Sequence, residues 1–435
     1  MTSMATNNKA SSVPRVASLH IATTQGYAGL LSKDGQHVFG YAPDVVADND
    51  GARSISLAMP VRAESYKTTL MLPAFQTFLP EGFLAHRIVE KFSKTMRIDD
   101  MALLALSGAN AIGRIRVSQS RVIDTDKGNI ESLKEILGST GSKDLFEYLC
   151  DRYLIASGIA GVQPKVLLEA QDDLAAGAAS AKKRTRARKT SGKTASSKKS
   201  IGEKSTLRGR SLIVKVNGAD FPHLTENEFH CLSIARNLRL PMPDFWLSED
   251  KKRLVIERFD IDKVSGDFLG FEDMVSLQGK VNERKYEGSY ENVALAIRQN
   301  VSPAWLQQSL NEFFASLVLS MVLKNGDAHL KNFGLLYTHP ESDDCRLSPL
   351  YDLVCTAVYI PKDLPALSLT KKKAWPTRGE LIAFGRDVCR VHDPGEVIDH
   401  TLNAATEYRP DADKSGMWKQ MKAAIDASAH ALARD

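Results

Sequence analysis

Residues 324–334 have the types and spacing needed to transfer a phosphoryl group. Asp327 precedes Asn332 by five residues in a polar turn. In kinase-type enzymes an aspartate at the first position accepts the proton of the attacking hydroxyl, and an asparagine at the second holds a magnesium ion on the ATP phosphates. Asp352 follows Asn332 by twenty residues and is the candidate second ligand. The sequence therefore predicts Asp327 as the catalytic base, with Asn332 and Asp352 as ligands of Mg²⁺.

The spacing of the aspartate and the asparagine also fits a capped turn whose side chains bind backbone groups. The segment before the turn favours the catalytic interpretation. Its apolar residues recur at helical spacing over 313–322 and predict a buried amphipathic helix that stops at Asn325-Gly326. A rigid helix of this kind would aim the loop from the core.

A glycine-containing turn precedes this region and is a candidate site for phosphates. Its residues are Ala160, Gly161, Val162, Gln163, Pro164 and Lys165. Backbone amides approach phosphate oxygens closely where no Cβ intervenes. The same residues also fit a tight turn between two strands.

Lys215 lies in a strongly apolar strand, where a lysine needs an anionic partner if it is buried. Kinases hold the α- and β-phosphates with a lysine on the strand after the glycine-rich turn. Glu228 opens the next helix and is the candidate partner, although its position also fits favourable charge at a helix N-terminus. After that helix, two apolar runs at 245–247 and 253–260 predict a hairpin. The chain leaving such a hairpin is the hinge of a two-lobed kinase, which makes Glu257, Arg258 and Phe259 candidate nucleotide-binding residues.

Residues 20–117 predict short strands and turns followed by helices, with no cluster of catalytic groups. Alternating residues predict a half-buried strand at 54–60, and 79–82 predicts a turn that opens a helix. We expect a separate small α+β domain here.

The chain has 435 residues, of which 43% are hydrophobic and 25% charged, and this suits two or three globular domains. It has no run of eighteen apolar residues, and its polar N-terminus lacks a signal core, so we expect a cytoplasmic protein without a membrane span. Five scattered cysteines without a Cys-x-x-Cys pair argue against a zinc site or a disulfide framework.

Positive charge is concentrated in one segment. Residues 182–210 hold twelve Lys or Arg and one acid, a local charge of +11 that leaves −6 for the rest of a chain whose formal net charge is +5. Its low complexity predicts a disordered insertion at about 173–208 within a hairpin. The insertion fits a solvated tether or a contact for DNA or RNA phosphates.

Taken in order, these motifs resemble the HipA-type serine/threonine kinases, which are toxins of bacterial toxin–antitoxin pairs. The match extends nearly from end to end. The motifs that carry it are Tyr41-Ala42-Pro43, Phe78-Leu79-Pro80-Glu81-Gly82, residues 160–165, Asn227-Glu228, Glu257-Arg258-Phe259-Asp260, residues 326–332 and Tyr351-Asp352.

The resemblance implies an α+β fold with a two-lobed, protein-kinase-like core related to the phosphatidylinositol kinases. We expect a disordered N-terminus at 1–16 and a HipA-type N-terminal domain at 17–122. The kinase N-lobe would cover 140–262 with the insertion, and a helical C-lobe carrying the catalytic loop would cover 263–435.

The function implied is an ATP- and Mg²⁺-dependent serine/threonine protein kinase that arrests growth by phosphorylating a translation component such as an aminoacyl-tRNA synthetase. The implied partners are a helix-turn-helix antitoxin of HipB type and DNA bound through that antitoxin. The basic segment 182–210 is not a general feature of the family and is a further candidate contact for DNA because of its charge. Two alternatives remain: a DNA-associated, nucleotide-binding corepressor, and a small-molecule phosphotransferase of aminoglycoside-kinase type.

The resemblance also assigns residue roles. Asp327 and Lys215 would be catalytic. His329 would contact nucleotide or only brace the loop, and Lys331 would stabilise the γ-phosphate or simply be solvated. The family often carries a regulatory serine two residues before the Ala-Gly of the phosphate loop, but this chain has Gly158 there, so Ser157 is the candidate autophosphorylation site.

Overall fold

The computed structural model describes residues 14–121, 131–138, 142–153, 163–171 and 209–433. The predictions for Ser157, Ala160, Gly161, Val162 and the insertion at 173–208 therefore lie outside the described residues, as does most of the predicted disordered N-terminus. Val16, the last residue of that N-terminal stretch, is buried. In the described part of the chain, no helix is both long and apolar enough to cross a bilayer.

The N-terminal domain contains an antiparallel sheet in the order β4-β3-β2-β1-β5. Its strands are β1 (Ser18–Thr23), β2 (Gly26–Asp34), β3 (Gln36–Tyr41), β4 (Tyr66–Thr68) and β5 (Arg116–Ser118). Its helices are α1 (Pro43–Ala47), α2 (Pro73–Gln76), α3 (Gly82–Phe92) and α4 (Asp100–Ser107). The apolar faces of the sheet and of α4 form a core of their own around Phe39 and Phe75.

The prediction of a strand at 54–60 is wrong. This stretch is irregular, and burial does not alternate along it, because Ser54, Ile55 and Ser56 are all buried. Tertiary contacts replace the strand ladder, because Ser56 Oγ and the Leu57 amide both donate to the carboxylate of Glu272, at 2.5 and 2.7 Å.

The second sheet, in the order β6-β7-β8-β10-β9, belongs to the N-lobe of the core. Its strands are β6 (Glu131–Ser132), β7 (Lys165–Gln171), β8 (Gly209–Val216), β9 (Phe245–Leu247) and β10 (Arg253–Glu257), and its helices are α5 (Leu133–Gly138), α6 (Ser142–Tyr153) and α7 (Leu224–Asn237). In the β7–β8 pair, Lys165 lies directly opposite Lys215. This register brings two cations side by side at one end of the hairpin.

The C-lobe is mainly helical and also holds a small antiparallel sheet in the order β11-β12-β13. Its strands are β11 (Gly270–Asp273), β12 (Gly334–Tyr337) and β13 (Arg346–Leu347), and its helices are α8 (Met274–Leu277), α9 (Tyr290–Asn300), α10 (Leu306–Val322), α11 (Arg378–Ala383), α12 (Pro394–Glu407) and α13 (Met417–Ala433). The main core surrounds α10, whose Phe313, Phe314 and Leu317 are fully buried. The predicted buried helix is therefore confirmed, as is the mixed α+β, two-lobed class.

The N-terminal domain is joined to the core by buried polar contacts. Besides its two N-terminal-domain donors, Glu272 accepts from the Tyr337 hydroxyl at 2.6 Å. The Gly113 amide donates to Asp260 at 2.5 Å, next to the predicted hinge. Such contacts need exact partners, because a buried polar group left without one is costly, and they fix the domain on the lobe that carries the catalytic loop.

Candidate active site

Lys215 is the centre of a buried ion cluster between the lobes. Its ammonium donates to Glu228 Oε1 at 2.6 Å and to Asp352 Oδ1 at 2.7 Å. The side chains of Lys215 and Glu228 are 5% and 0% exposed, whereas that of Asp352 is 36% exposed. The predicted pairing of Lys215 with Glu228 is confirmed. The sequence did not predict the contact with Asp352, which links β8 to the loop after β13.

Burial and neighbouring charges together set the pKa values of the side chains in this cluster. Burial would lower the pKa of Lys215, but Asp352 and Glu228 raise it above its ordinary value. Burial would raise the pKa of Asp352, but Lys215 holds it well below its usual range. Lys165 is also buried, and burial lowers its pKa to about 8. The cluster thus carries an ionised Asp352 at neutral pH, which suits a ligand for a hard cation.

The predicted catalytic loop, residues 324–334, begins where α10 ends. The Asn325 side chain accepts from the Asp327 amide at 3.1 Å, and the Thr356 hydroxyl accepts from the Gly326 amide at 2.7 Å. A Cβ at 326 would lie 1.9 Å from an oxygen of Asp363, so a larger residue there would displace that carboxylate. The two hydrogen bonds hold the loop backbone.

Asp327 is half-buried, and burial raises its pKa to about 6. A carboxyl group with this pKa is largely ionised at neutral pH and remains a competent base. Its Oδ1 accepts a hydrogen bond from the Tyr286 hydroxyl at 2.7 Å. No sequence feature indicated Tyr286, which lies in the segment after α8.

Asn332 and Asp352, the two predicted metal ligands, are in contact through the Asp352 backbone. The Asn332 amide nitrogen donates to the Asp352 carbonyl at 3.0 Å. Asn332 Oδ1 is buried and has no hydrogen-bond partner among the described residues. Asp352 has a φ of 57°, a left-handed conformation that costs free energy in a non-glycine residue and persists where surrounding contacts fix it.

These two side chains fit a magnesium site. Mg²⁺ in nucleotide sites takes one or two protein oxygens together with water and phosphates, and a buried amide oxygen without a partner is an available ligand. Within the described ranges, no group of three or more His, Cys, Asp or Glu side chains could hold a metal by itself. The donor set therefore suits a cation that arrives with phosphate rather than a separate protein-bound metal.

Lys331 is neither solvated nor free. Its ammonium lies 2.7 Å from Glu81 Oε1 and 2.9 Å from Asn282 Oδ1, and its side chain is 8% exposed. Glu81 Oε2 also binds Lys285 at 3.2 Å. Burial would raise the pKa of Glu81, but Lys331 and Lys285 lower it overall. The sequence had offered Glu81 only as part of a turn, yet it joins the N-terminal domain to the catalytic loop.

His329 is buried, and burial lowers its pKa to about 4, so its ring is neutral at physiological pH. Its Nδ1 has no hydrogen-bond partner in the described part of the chain. The ring packs edge-on against Tyr286, with centroids 5.1 Å apart. This contact fits the bracing role that the sequence left open.

The three predicted hinge residues have different environments. Glu257 pairs with Arg210 and Lys263 at 3.4 and 3.1 Å. Arg258 is buried against Asp260 at 2.6 Å. Phe259 packs against Tyr351, with centroids 5.2 Å apart, which places an aromatic pair beside the loop of Asp352.

The hinge residues also line a cleft of about 390 Å³ together with residues of α10 and the segment 241–243. None of Lys215, Asp327, Asn332 and Asp352 lines it. The lining of this cleft therefore includes the hinge but not the ion cluster. Of the predicted phosphate loop, Gln163 donates to the Val216 carbonyl at 3.2 Å, and Pro164 leads into β7.

A five-stranded lobe that carries Lys215 and a helical lobe that carries Asp327 and Asp352 define a protein-kinase-like fold. The sequence matches the model of the HipA N-terminal domain over residues 19–118 and that of the HipA-like C-terminal domain over residues 157–424. The second match covers more than half of the chain. The chain belongs to the HipA family.

The chain is also similar to proteins that are named as putative kinases. One is the "Putative kinase Y4dM" of Sinorhizobium fredii, 32% identical over 191 residues that cover 40% of this chain and 45% of that protein. Another is the "Putative kinase Y4mE" of the same organism, 25% identical over 76% of this chain and 75% of that protein. The first match spans less than half of the relative's length.

The fold is similar to a solved complex of HipA, HipB and operator DNA from the toxin–antitoxin system of Shewanella oneidensis MR-1. The TM-score is 0.63 at 17% identity, and the alignment covers 95% of this chain and 96% of that one. At this identity the likeness concerns the fold.

Proposed function

We propose that this protein is an ATP-dependent protein kinase acting on serine or threonine hydroxyls. The observation that carries the proposal is the convergence at one interlobe site of Lys215, Glu228 and Asp352, with Asn332 bound to the Asp352 backbone. Such a cluster of fixed charges supports phosphoryl transfer, because that reaction depends on positioning and on charge stabilisation. The family membership and the kinase names of the relatives support the same class.

In the proposed reaction, Asp327 orients the acceptor hydroxyl and takes its proton. The hydroxyl oxygen forms a bond to the γ-phosphorus of ATP while the bond between that phosphorus and the β–γ bridging oxygen breaks, so that ADP leaves. The raised pKa of Asp327, about 6, matches a base that works near neutral pH. Lys215 holds the α- and β-phosphates and keeps Asp352 in place.

Asn332 Oδ1 and the Asp352 carboxylate would hold Mg²⁺, which neutralises the charge of the β- and γ-phosphates when it is bound. Residues 160–165 would cover the phosphates, and the backbone of Glu257–Phe259 would bind adenine. We assign His329 to support of the loop. Lys331 would reach a phosphate only by leaving Glu81, so we propose that it mainly fixes the loop.

We also propose a toxin role with an antitoxin partner. Support comes from the solved complex of similar fold, which contains HipA, HipB and operator DNA. By the same resemblance, the proposed substrate is a translation component such as an aminoacyl-tRNA synthetase. DNA contact through segment 182–210 and autophosphorylation of Ser157 stay predictions.

The test is transfer of labelled phosphate from ATP to total cell protein, with Asp327→Asn as the inactive variant. Loss of a positioned general base typically lowers the rate by about 10² to 10⁴. Asp48→Asn is the matched control, because this exposed carboxylate lies in the N-terminal domain away from the site. Equal transfer by wild type and folded Asp327→Asn would remove Asp327 from the mechanism. Absence of transfer to any protein would refute the kinase assignment.

A further inference from the structure

The Tyr286 hydroxyl is hydrogen-bonded to the carboxylate of Asp327, the residue that we assign as the base. It donates to Asp327 Oδ1 at 2.7 Å, within the distance at which a general base must hold the proton that it removes. Burial, Asp327 and the hydrogen bond to it all raise the pKa of Tyr286, so the phenol is protonated and is the donor. The phenol therefore makes the contact that an acceptor hydroxyl must make.

The rest of the Tyr286 side chain is accessible. The residue is 43% exposed, although large apolar side chains are usually covered. Its ring touches the buried His329 ring, at 5.1 Å between centroids, and the Lys285 ammonium, 5.6 Å from the ring centre. One face of the ring is thus supported by the protein while the side chain remains open to solvent.

The backbone that carries Tyr286 is anchored. The Leu330 amide of the catalytic loop donates to the Lys285 carbonyl at 3.1 Å. The Lys285 side chain is bound to Glu81, and Asn282 donates to the Gln76 carbonyl at 3.0 Å. With its backbone held on both the catalytic loop and the N-terminal domain, Tyr286 can leave Asp327 by rotation of its side chain alone.

We propose that Asp327, His329 and Tyr286 form the subsite for the acceptor hydroxyl, and that Tyr286 occupies this subsite until a substrate hydroxyl displaces it. This inference rests on the proposed kinase function and adds the acceptor side of the same site. The incoming group is an aliphatic hydroxyl on a protein segment, which exchanges one hydrogen bond to Asp327 for another. Transfer to that hydroxyl then competes with return of the phenol.

Removal of the phenol oxygen alone tests the subsite. In Tyr286→Phe the ring remains against His329, while the competing hydroxyl is lost. We expect kcat/KM for a protein acceptor to rise by about threefold to tenfold, the range of one net hydrogen bond. The KM for ATP should not change, because Tyr286 is assigned to the acceptor side.

A second readout is the pH profile. Besides Tyr286, the charged groups that act on Asp327 are Asp352, Lys285 and Asp363. The hydrogen bond from Tyr286 lowers the pKa of Asp327 and the variant lacks it, so the acid limb of kcat/KM should move to higher pH. A purely structural role for Tyr286 would not move this limb.

The experiment measures transfer from labelled ATP to myelin basic protein, used as a generic hydroxyl-rich acceptor. Tyr66→Phe is the matched control, since its hydroxyl donates to the Pro60 carbonyl in the N-terminal domain. Thermal unfolding of each variant identifies misfolding, and Tyr286→Leu provides a second variant without the phenol. Higher kcat/KM with the shifted acid limb supports the subsite.

Unchanged or lower kcat/KM in folded Tyr286→Phe, while wild type transfers phosphate, overturns the subsite and leaves the kinase assignment standing. If neither wild type nor the control transfers phosphate to any protein, the kinase function itself fails and the subsite with it. The two failures are therefore distinguished by the activity of the wild type.

Discussion

Replacement of Glu81 by glutamine should loosen the catalytic loop although the residue belongs to another domain. The carboxylate binds Lys331 at 2.7 Å and Lys285 at 3.2 Å, and the three side chains are only 8–18% exposed. Glutamine is nearly isosteric, but its one carbonyl oxygen can serve only one ammonium. We therefore expect loss of about one charge-assisted hydrogen bond, worth about 1.5–3 kcal/mol.

Hydrogen exchange followed by mass spectrometry measures the loss of this hydrogen bond at the backbone amides of the catalytic loop. The Leu330 amide, which donates to the Lys285 carbonyl, should exchange about 10- to 140-fold faster in Glu81→Gln. Glu64→Gln is the control, because Glu64 is an exposed carboxylate of the same domain. Helix α13, remote from the contact, should exchange unchanged.

The pH dependence gives an independent check. Because folding lowers the pKa of Glu81 below its ordinary 4.5, its stabilisation is present above that pH and is lost as pH falls through the folded pKa. The difference between wild type and Glu81→Gln should therefore shrink in acid. Equal exchange at Leu330 in wild type, Glu81→Gln and Glu64→Gln at neutral pH would refute the proposed connection.

Four further predictions follow from the site. The acid limb of kcat/KM should lie near pH 6, because Asp327 must be ionised to act as base and burial raises its pKa to about 6; an acid limb near pH 4 would contradict this. Lys215→Met should abolish transfer and lower the free energy of unfolding in urea by about 3–5 kcal/mol, because buried Glu228 loses its cation; an unchanged urea midpoint would be inconsistent with a buried pair. Asn332→Ala should weaken ATP binding in the presence of Mg²⁺ but not in its absence, as judged by titration calorimetry, and a retained magnesium effect would exclude Asn332 as a ligand. Deletion of residues 173–208 should leave transfer and the melting temperature unchanged, and an unfolded product would show that the segment is structural.

The parts of the site that could be predicted are local in sequence. Asp327 and Asn332 lie in one loop, and a buried lysine in an apolar strand had to have a partner, which is Glu228 only thirteen residues away. Glu81 and Lys331 are 250 residues apart, and Tyr286 and Asp327 are 41 apart. Contacts over such separations depend on how domains pack, which periodicity and spacing do not encode.

In the fold, too, local features were predictable from the sequence and long-range contacts were not. The helix α10 was predictable because its burial follows a helical repeat over several turns. The alternation at 54–60 matched a strand equally well, but Glu272, more than 200 residues away, takes the polar groups that a strand would have paired. The period of two therefore predicted the burial of Ile55 and Met59, but it predicted neither the burial of Ser54 and Ser56 nor the irregular backbone.

The β7–β8 hairpin makes the chain tolerant of added sequence. The hairpin closes at the pair Gln171 and Gly209, six residues from the pair Lys165 and Lys215, which is about 20 Å along the strands. For a flexible connection, such as the sequence predicts at 173–208, doubling the length of the chain between the closing residues costs only about 0.6 kcal/mol in closure entropy. We therefore expect that changes in the length or charge of this segment leave both lysines in place, and that a fluorescent reporter or an affinity tag can be inserted there.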